Sequence, residues 1–499
     1  MKNRNFLILG IIFLIGIFLR MMYLSQGGLT FDYDQGRDAF VVLQLLHGDL
    51  KIQGPPASIP GLYHGVLYYY LIAPAYFVGH GSPVIVAVWM AIINSLGVII
   101  AYILGREFFK NNLAGLLAAL FFAVSFEQTQ YATWLSNPAF AAVTVPLFYL
   151  NLWHWYKQKK WGAFLAGVFL GVSIQAEIFL AYHFFVLLIL IFIKKIRINW
   201  STMSKFTLGL LLATTSMLVS EIKFGFLAVS GLRNLFFNQG GNLFAKPFSE
   251  SLLVYADQFA RLFSFNIFPL NQMYAGLVGI LVMIWALKQT KAEWKTFLIL
   301  YIFASIFGSA FGGSGTPFIN VGLGMAAILL IARFLQQKFS SSKPLVISII
   351  LIFLVTNLYQ IFSENKDGQT IFAVQKDRNL KNELSAIDYI YRTSNGPFSI
   401  NSITNPLYIN TSWSYLFNWY GKSRYGYLPF WHGHDQIGSL GNNLQRPPKE
   451  VNKYFLIIEP PQANFSRWIQ PGIEEEDGKS TLIDTHEFGQ IIVQTRKPK

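Results

Sequence analysis

Apolar residues accumulate along this chain in long runs instead of alternating. A helix needs roughly 20 mostly apolar residues to cross a bilayer, and about eleven runs reach or approach that length. They centre near Phe13, Ile93, Leu120, Pro146, Val168, Leu187, Leu210, Ile280, Ile302, Ala326 and Ile352. Basic residues fall in short clusters at every second gap between them: Lys2 and Arg4; Arg106 and Lys110; Lys157, Lys159 and Lys160; Lys194, Lys195, Arg197 and Lys205; Lys288, Lys291 and Lys295; Arg333, Lys338 and Lys343. Cytoplasmic loops collect Lys and Arg, which places the N-terminus inside. An odd number of crossings then puts everything after about Phe362 outside, so the two readings agree. The first run follows Lys2 and Arg4 as a signal peptide would, but no small-x-small cleavage site succeeds it, which predicts a retained anchor.

Two further stretches are expected outside the membrane, residues 25–82 and 221–272. The first contains VLYYYLIAPAYF, short and broken by Pro74, which reads as an interfacial helix. The second interleaves aromatic and basic residues, Arg233, Phe236, Phe237, Phe244, Lys246, Phe248, Arg261 and Phe263, as a surface facing lipid headgroups does. Beyond residue 362 the pattern changes to that of a water-soluble segment. NLKNELSAIDYIYR has helical periodicity, whereas PFSIN, YFLIIE and IIVQT read as strands between Gly- and Pro-rich turns. The expected fold is a polytopic α-helical membrane protein spanning residues 1–362, N-terminus in and C-terminus out, with an extracytoplasmic α/β domain over residues 363–499.

Composition narrows the function. With 53% hydrophobic and 13% charged residues and no cysteine, a disordered chain, a disulfide scaffold and a Cys-ligated zinc or iron–sulfur protein are excluded. The 39 basic against 25 acidic residues give a net charge of +14. Because those charges sit between membrane runs, they match anionic lipids and not nucleic acid.

The densest polar cluster beyond the first run is FDYDQGRDAF, residues 31–40. Asp34 stands where it either caps a helix or does chemistry, and Arg37 and Asp38 follow within one turn. Glu177, in SIQAEIFLAYHFF with Gln175 and His183 nearby, belongs in a wet cavity or at the interface, because a charge at the bilayer centre costs about 2.5–3.5 kcal/mol. In the C-terminal segment, PFWHGHDQIG offers His432, His434 and Asp435 as a weak metal motif, with Trp431 as a surface for a sugar ring. GGSGTP, residues 312–317, lacks the ending of a phosphate-binding loop and reads as a tight turn.

A first helix ending in Arg20, an acidic external motif and a later aromatic motif together resemble the GT-C membrane glycosyltransferases, specifically glycosyltransferase family 39. That family's first loop commonly reads Asp-Glu-x-x-Tyr or Asp-Glu-x-Arg-Tyr. Asp34, Gln35, Gly36, Arg37 and Asp38 match its Asp and Arg, with Gln35 replacing the second carboxylate. The family's Lys/His-Pro-Pro-Leu-Tyr-Tyr pattern is echoed, without its prolines, by His64, Gly65, Val66, Leu67, Tyr68, Tyr69 and Tyr70.

The resemblance implies a sugar carried on a polyprenyl or dolichyl phosphate and transferred with inversion to an external lipid, glycan or protein acceptor. Asp34 would be the general base. Arg37, His64 and Arg261 would hold the donor phosphate, the histidine only while protonated. Asp38 and Tyr69 lie in the matched motifs. The family's further external acidic residue has no aspartate counterpart in SFEQTQYATWLSNPAF, where Glu127 or Asn137 would stand in; a divalent metal is left open, and no other cofactor is expected. The expected location is the plasma membrane, with the site on its outer face. A flippase or transporter of lipid-linked glycans, or a glycan ligase, would share this surface. A transporter, however, places its polar residues near the midplane.

Overall fold

The computed structural model describes residues 2–57, 59–234, 248–269, 271–309, 317–368, 370–373, 375–436, 440–441, 443–448, 453–462 and 466–499. In chain order, α1 (Lys2–Met21) leads to α2 (Tyr33–Leu46) and α3 (Leu67–Val78). Then come α4 (Pro83–Phe109), α5 (Asn112–Val124), α6 (Phe126–Thr133), α7 (Ala141–Tyr156), α8 (Gly162–Ala176), α9 (His183–Phe192), α10 (Trp200–Lys223) and α11 (Leu227–Arg233). Beyond residue 247 follow α12 (Phe248–Asn266), α13 (Gln272–Leu287), α14 (Glu293–Ile302), α15 (Ser305–Ser309), α16 (Gly324–Lys338) and α17 (Lys343–Glu364). Every apolar run named above centres inside one of these helices.

Among the described residues, four helices are long and apolar enough to cross a membrane unaided: α1, α4, α10 and α17. A fifth such unit is α5 with α6, bent by 49°. The shorter apolar helices α3, α8 and α13, and α9 with the turn before it, complete the apolar set.

The bend between α5 and α6 leaves helix-end carbonyls and N–H groups without intrahelical partners, which lipid cannot satisfy. Buried side chains meet that demand. Arg20 donates to the carbonyls of Phe122 (3.2 Å) and Ala123 (3.0 Å) at the end of α5, and to Asn94 of α4. Asn357 of α17 accepts from the Phe126 N–H that opens α6, at 2.9 Å. Elsewhere close packing relies on small residues. A Cβ on Gly167 of α8 would sit 2.1 Å from the Phe206 carbonyl oxygen, and one on Gly209 of α10 would sit 2.2 Å from that of Phe164.

The C-terminal segment comprises α18 (Leu380–Ser394), β1 (Ser399–Ile403), α19 (Thr411–Leu416), α20 (Lys422–Tyr425), β2 (Phe430–Trp431), β3 (Tyr454–Ile458), α21 (Ser466–Lys479), β4 (Ser480–Phe488) and β5 (Ile491–Pro498). Its sheet has the order β2-β1-β3-β5-β4, with β1 parallel to β2 and β3, and β5 antiparallel to β3 and β4. Strands β1 and β3 are buried along their whole length, as central parallel strands are. The three strands read from sequence are β1, β3 and β5. Edge strands β2, of two residues, and β4, mostly exposed, carry too little apolar signal to be read.

This segment is stitched to the loop after α1. The Leu380 N–H donates to the Leu29 carbonyl at 2.9 Å and the Lys381 N–H to that of Gly27 at 3.2 Å. Tyr415 packs among Phe31, Phe40 and Tyr76. A Cβ on Gly36 of α2 would lie 2.6 Å from the Ser412 Cα of α19. Helix α2 is therefore held between the membrane helices and the C-terminal sheet.

Candidate active site

The cap of α2 is Asp32, which corrects the reading of Asp34 as a capping residue. The Asp32 carboxylate accepts from the Asp34 N–H at 3.0 Å, and the Gln35 side chain accepts from the Asp32 N–H at 2.9 Å, a reciprocal capping box. Gln35, the residue that replaces the second carboxylate of the motif, also donates to the Leu135 carbonyl at 3.0 Å. With the cap supplied by its neighbour, Asp34 points free of the helix and its side chain is 51% exposed.

Arg37 lies between two carboxylates, 2.6 Å from Asp34 and 2.8 Å from Asp38. Asp38 is buried and also hydrogen-bonded to Tyr69. Burial pushes its carboxyl up to about 7 against the pull of Arg37. Asp38 and Tyr69 thus hold Arg37 from behind, and neither lines the pocket in front of it.

That pocket, of about 140 Å³, brings together Asp34, Arg37, His64, Asn137 and Glu177 from four separate stretches of chain, with Asp32 and Ser136 also in its wall. The Asn137 amide donates to the Ala176 carbonyl at 2.5 Å, which ties the two far walls together. His64 Nδ1 accepts from the Ile178 N–H at 3.3 Å and lies 3.7 Å from Glu177. Burial, with the charge of Arg37, lowers the histidine to about 4. Burial therefore favours the neutral form of His64, which offers a phosphate a hydrogen bond and no charge.

Glu127 and Arg261 lie elsewhere. They share a neighbouring narrow pocket of about 30 Å³ with Gln258 and Asn320, and Phe372 lines both pockets. The Phe372 ring stacks on Trp134 (centroids 4.2 Å) and Tyr131 (5.0 Å). Glu127 accepts from Tyr131 Oη and Asn266 Nδ2, each at 2.8 Å, and Arg261 is 3.0 Å from Asp257 on its own helix. The structure thus does not bring Glu127 to Asp34, or Arg261 to Arg37.

Sequence reading missed Arg378. It is buried with two glutamates, 3.2 Å from Glu383 and 2.7 Å from Glu459, and hydrogen-bonds Gln375 and Ser412. One guanidinium cannot neutralise two buried carboxylates, and burial raises Glu383 to about 8. Asp32 feels the same cluster. Burial and the Asp34 charge raise it to about 6, while Arg378 pulls it back. The partners of Arg378 are scattered over the chain, so no local motif announced it.

Among the described residues, no three His, Asp or Glu side chains converge as a metal ion would require. His434 pairs with Glu475 at 2.6 Å and Asp435 with Arg446 at 2.6 Å, while His432 packs on Tyr454. Trp431 is buried and donates to the His434 carbonyl, so it offers no open face to a sugar. Phe236, Phe237, Phe244 and Lys246 lie outside the described residues, as does residues 312–316 of the glycine-rich stretch.

No family model matches the sequence, and no curated relative does. Solved structures do. ArnT from Cupriavidus metallidurans bound to undecaprenyl phosphate superposes with a TM-score of 0.61 at 8% identity, over 97% of this chain and 97% of that one. The same protein in the apo state gives 0.60 at 9% identity, over 99% and 98%. The arabinofuranosyltransferase AftD from Mycobacteria gives 0.36 at 12% identity, over 80% of this chain and 29% of that one. With its overlap with ArnT and its apolar helices, the chain is a multi-pass membrane protein with the fold of ArnT.

Proposed function

We propose that this protein is an inverting glycosyltransferase of the plasma membrane. It moves a sugar from a polyprenyl phosphate to a lipid, glycan or protein acceptor on the extracytoplasmic side, and Asp34 is its general base. The membrane part, residues 1–362, crosses eleven times with the N-terminus inside, and residues 363–499 form the external domain. The observation that carries the reading is the pocket that gathers Asp34, Arg37, His64, Asn137 and Glu177 in a chain that follows the ArnT fold nearly end to end. The undecaprenyl phosphate in that ArnT structure supports a lipid-phosphate donor here.

The acceptor hydroxyl attacks the anomeric carbon, its proton passes to Asp34, and the bond from that carbon to the phosphate oxygen breaks with the electron pair leaving on the phosphate. Arg37 is already engaged by Asp34 at 2.6 Å. A donor phosphate competes for that guanidinium edge and frees the Asp34 oxygen for the acceptor, so donor binding arms the base. His64 contributes a neutral N–H and Asn137 an amide, neither of which changes with pH near neutrality.

The test is release of free sugar from undecaprenyl-phosphate sugars by the purified protein, with water as acceptor, wild type beside Asp34→Asn. Loss of a general base lowers turnover by about 10²–10⁴, with melting temperature unchanged. Near-wild-type turnover in the variant moves the base to Asp32, the other aspartate in the pocket wall, and not to Glu127.

A further inference from the structure

A second hollow with a charged lining lies at the far end of the bundle from this pocket. Helix α4 runs from Ser82, beside the Tyr415 contact with Gly81, to Phe109, about 40 Å of helix for its 27 residues. At that far end, the close of α4, the start of α5 and the turn from α7 to α8 border an open groove of about 510 Å³. Arg106, Lys110, Lys157 and Lys159 line it, with Asn112, Trp153 and one carboxylate, Glu107.

The cations are not all neutralised. Lys159 holds Glu107 at 3.0 Å and Lys157 holds Glu293 at 2.5 Å. Arg106 lies over the Tyr102 ring and reaches the already paired Glu107 at 4.0 Å, and Lys110 shares the already paired Glu293 with Lys157. Four cations thus face two carboxylates, which leaves a net charge of +2.

Helix ends alone attract a cation in their last turn, which accounts for Arg106 and Lys110 at the close of α4 and Lys157 at the close of α7. It does not account for Lys159, or for the groove that the four cations line. Lys110 (φ 50°) and Gln158 (φ 56°) take the left-handed conformation that ordinarily closes a helix. His154 adds a buried Nε2 without a hydrogen bond, 3.9 Å from Glu107.

We propose that this hollow is a binding site for a phosphate-bearing anion, distinct from the donor site and on the opposite face of the membrane. Its two sources are an anionic phospholipid headgroup of the adjacent leaflet and a free phosphorylated solute. Arg106, Lys110 and Lys159 hold the phosphate, and Trp153 forms the apolar wall.

The experiment titrates the full-length protein in detergent with short-chain phosphatidylglycerol, short-chain phosphatidylcholine and inorganic phosphate, reading occupancy by native mass spectrometry and melting temperature. One variant carries Arg106→Gln, Lys110→Gln and Lys159→Gln, at partly exposed positions. A control carries Lys194→Gln, Lys195→Gln and Arg197→Gln, which removes equal charge near the start of α10. The parallel packing of α8 on α10 places that loop on the same face. Expected is phosphatidylglycerol binding by wild type and control, with phosphatidylcholine weaker, and a loss of about tenfold or more in the pocket variant alone. Inorganic phosphate competing at the same residues assigns the site to a free solute. Equal weakening in both variants, or no anion binding by the wild type, overturns the proposal, since the basic face would then be diffuse charge. The measurement involves no sugar transfer, so failure of the glycosyltransferase reading leaves it intact.

Discussion

Asp32 and Asp34 are two residues apart and have opposite tasks, because a capping box needs its acceptor at the residue before the helix and its Gln three residues later. Asp32→Ala removes the cap and costs about 1 kcal/mol. Asp32→Asn keeps an acceptor of equal rank, so unfolding curves should separate the two variants while Asp34→Asn matches wild type. The Arg378 cluster makes a pH prediction. Burial raises Glu383 to about 8 in the folded protein, against about 4.3 when unfolded. The folded state thus keeps a proton that the unfolded chain has lost, and stability falls as pH rises between those values. Glu383→Gln mimics the protonated side chain. Its melting temperature should lie close to wild type near pH 4 and exceed it by a margin that grows up to about pH 8, and a constant difference between pH 5.5 and 8 would show that Glu383 is ionised throughout. At this scale the sequence was legible where chemistry is local. Asp34 and Arg37 share one turn of helix, whereas Arg378 meets Glu459 and Ser412 only through the sheet.

Helix α2 owes its position to packing that no single element specifies. Gly36, the fourth residue of α2, costs up to about 1 kcal/mol relative to Ala by propensity alone, so Gly36→Ala would stabilise α2 in isolation. In the folded protein the new methyl meets the Ser412 backbone at 2.6 Å, and overpacking of that kind costs about 1–3 kcal/mol. The clash should win. We expect a lower melting temperature and reduced turnover, and an unchanged melting temperature would mean that α2 and α19 slide apart freely. Helix positions were readable because each apolar run needs only its own residues to declare itself. The break between α5 and α6 was not. Its orphaned backbone groups are met by Arg20 and Asn357 from two other helices, while Asn266 accepts from the Ser125 hydroxyl at the bend, and that complementarity appears only after folding. The same holds for the division of the candidate site at Phe372, which lies in the connector after α17 and stacks on α6 and the residue after it.

Across the whole molecule, the ends of α4, α7 and α8 that carry Asn137, Glu177 and the C-terminal sheet lie opposite those that carry the basic loops. If basic loops face the cytoplasm, the aspartate pocket and the sheet, at the opposite ends of those helices, lie outside. The chain contains no cysteine, so one introduced thiol reports its own side of the membrane without background. Lys194→Cys, in the basic loop before α10, and Leu482→Cys, on the exposed face of β4, sample the two sides. In intact cells whose outer barrier has been opened, a membrane-impermeant maleimide should label Cys at 482 fully and at 194 only after the inner membrane is permeabilised. The reverse pattern would turn the protein over and place its chemistry in the cytoplasm. Labelling of both positions before permeabilisation would require an even number of crossings between them, and the eleven-helix reading would then fail by at least one span.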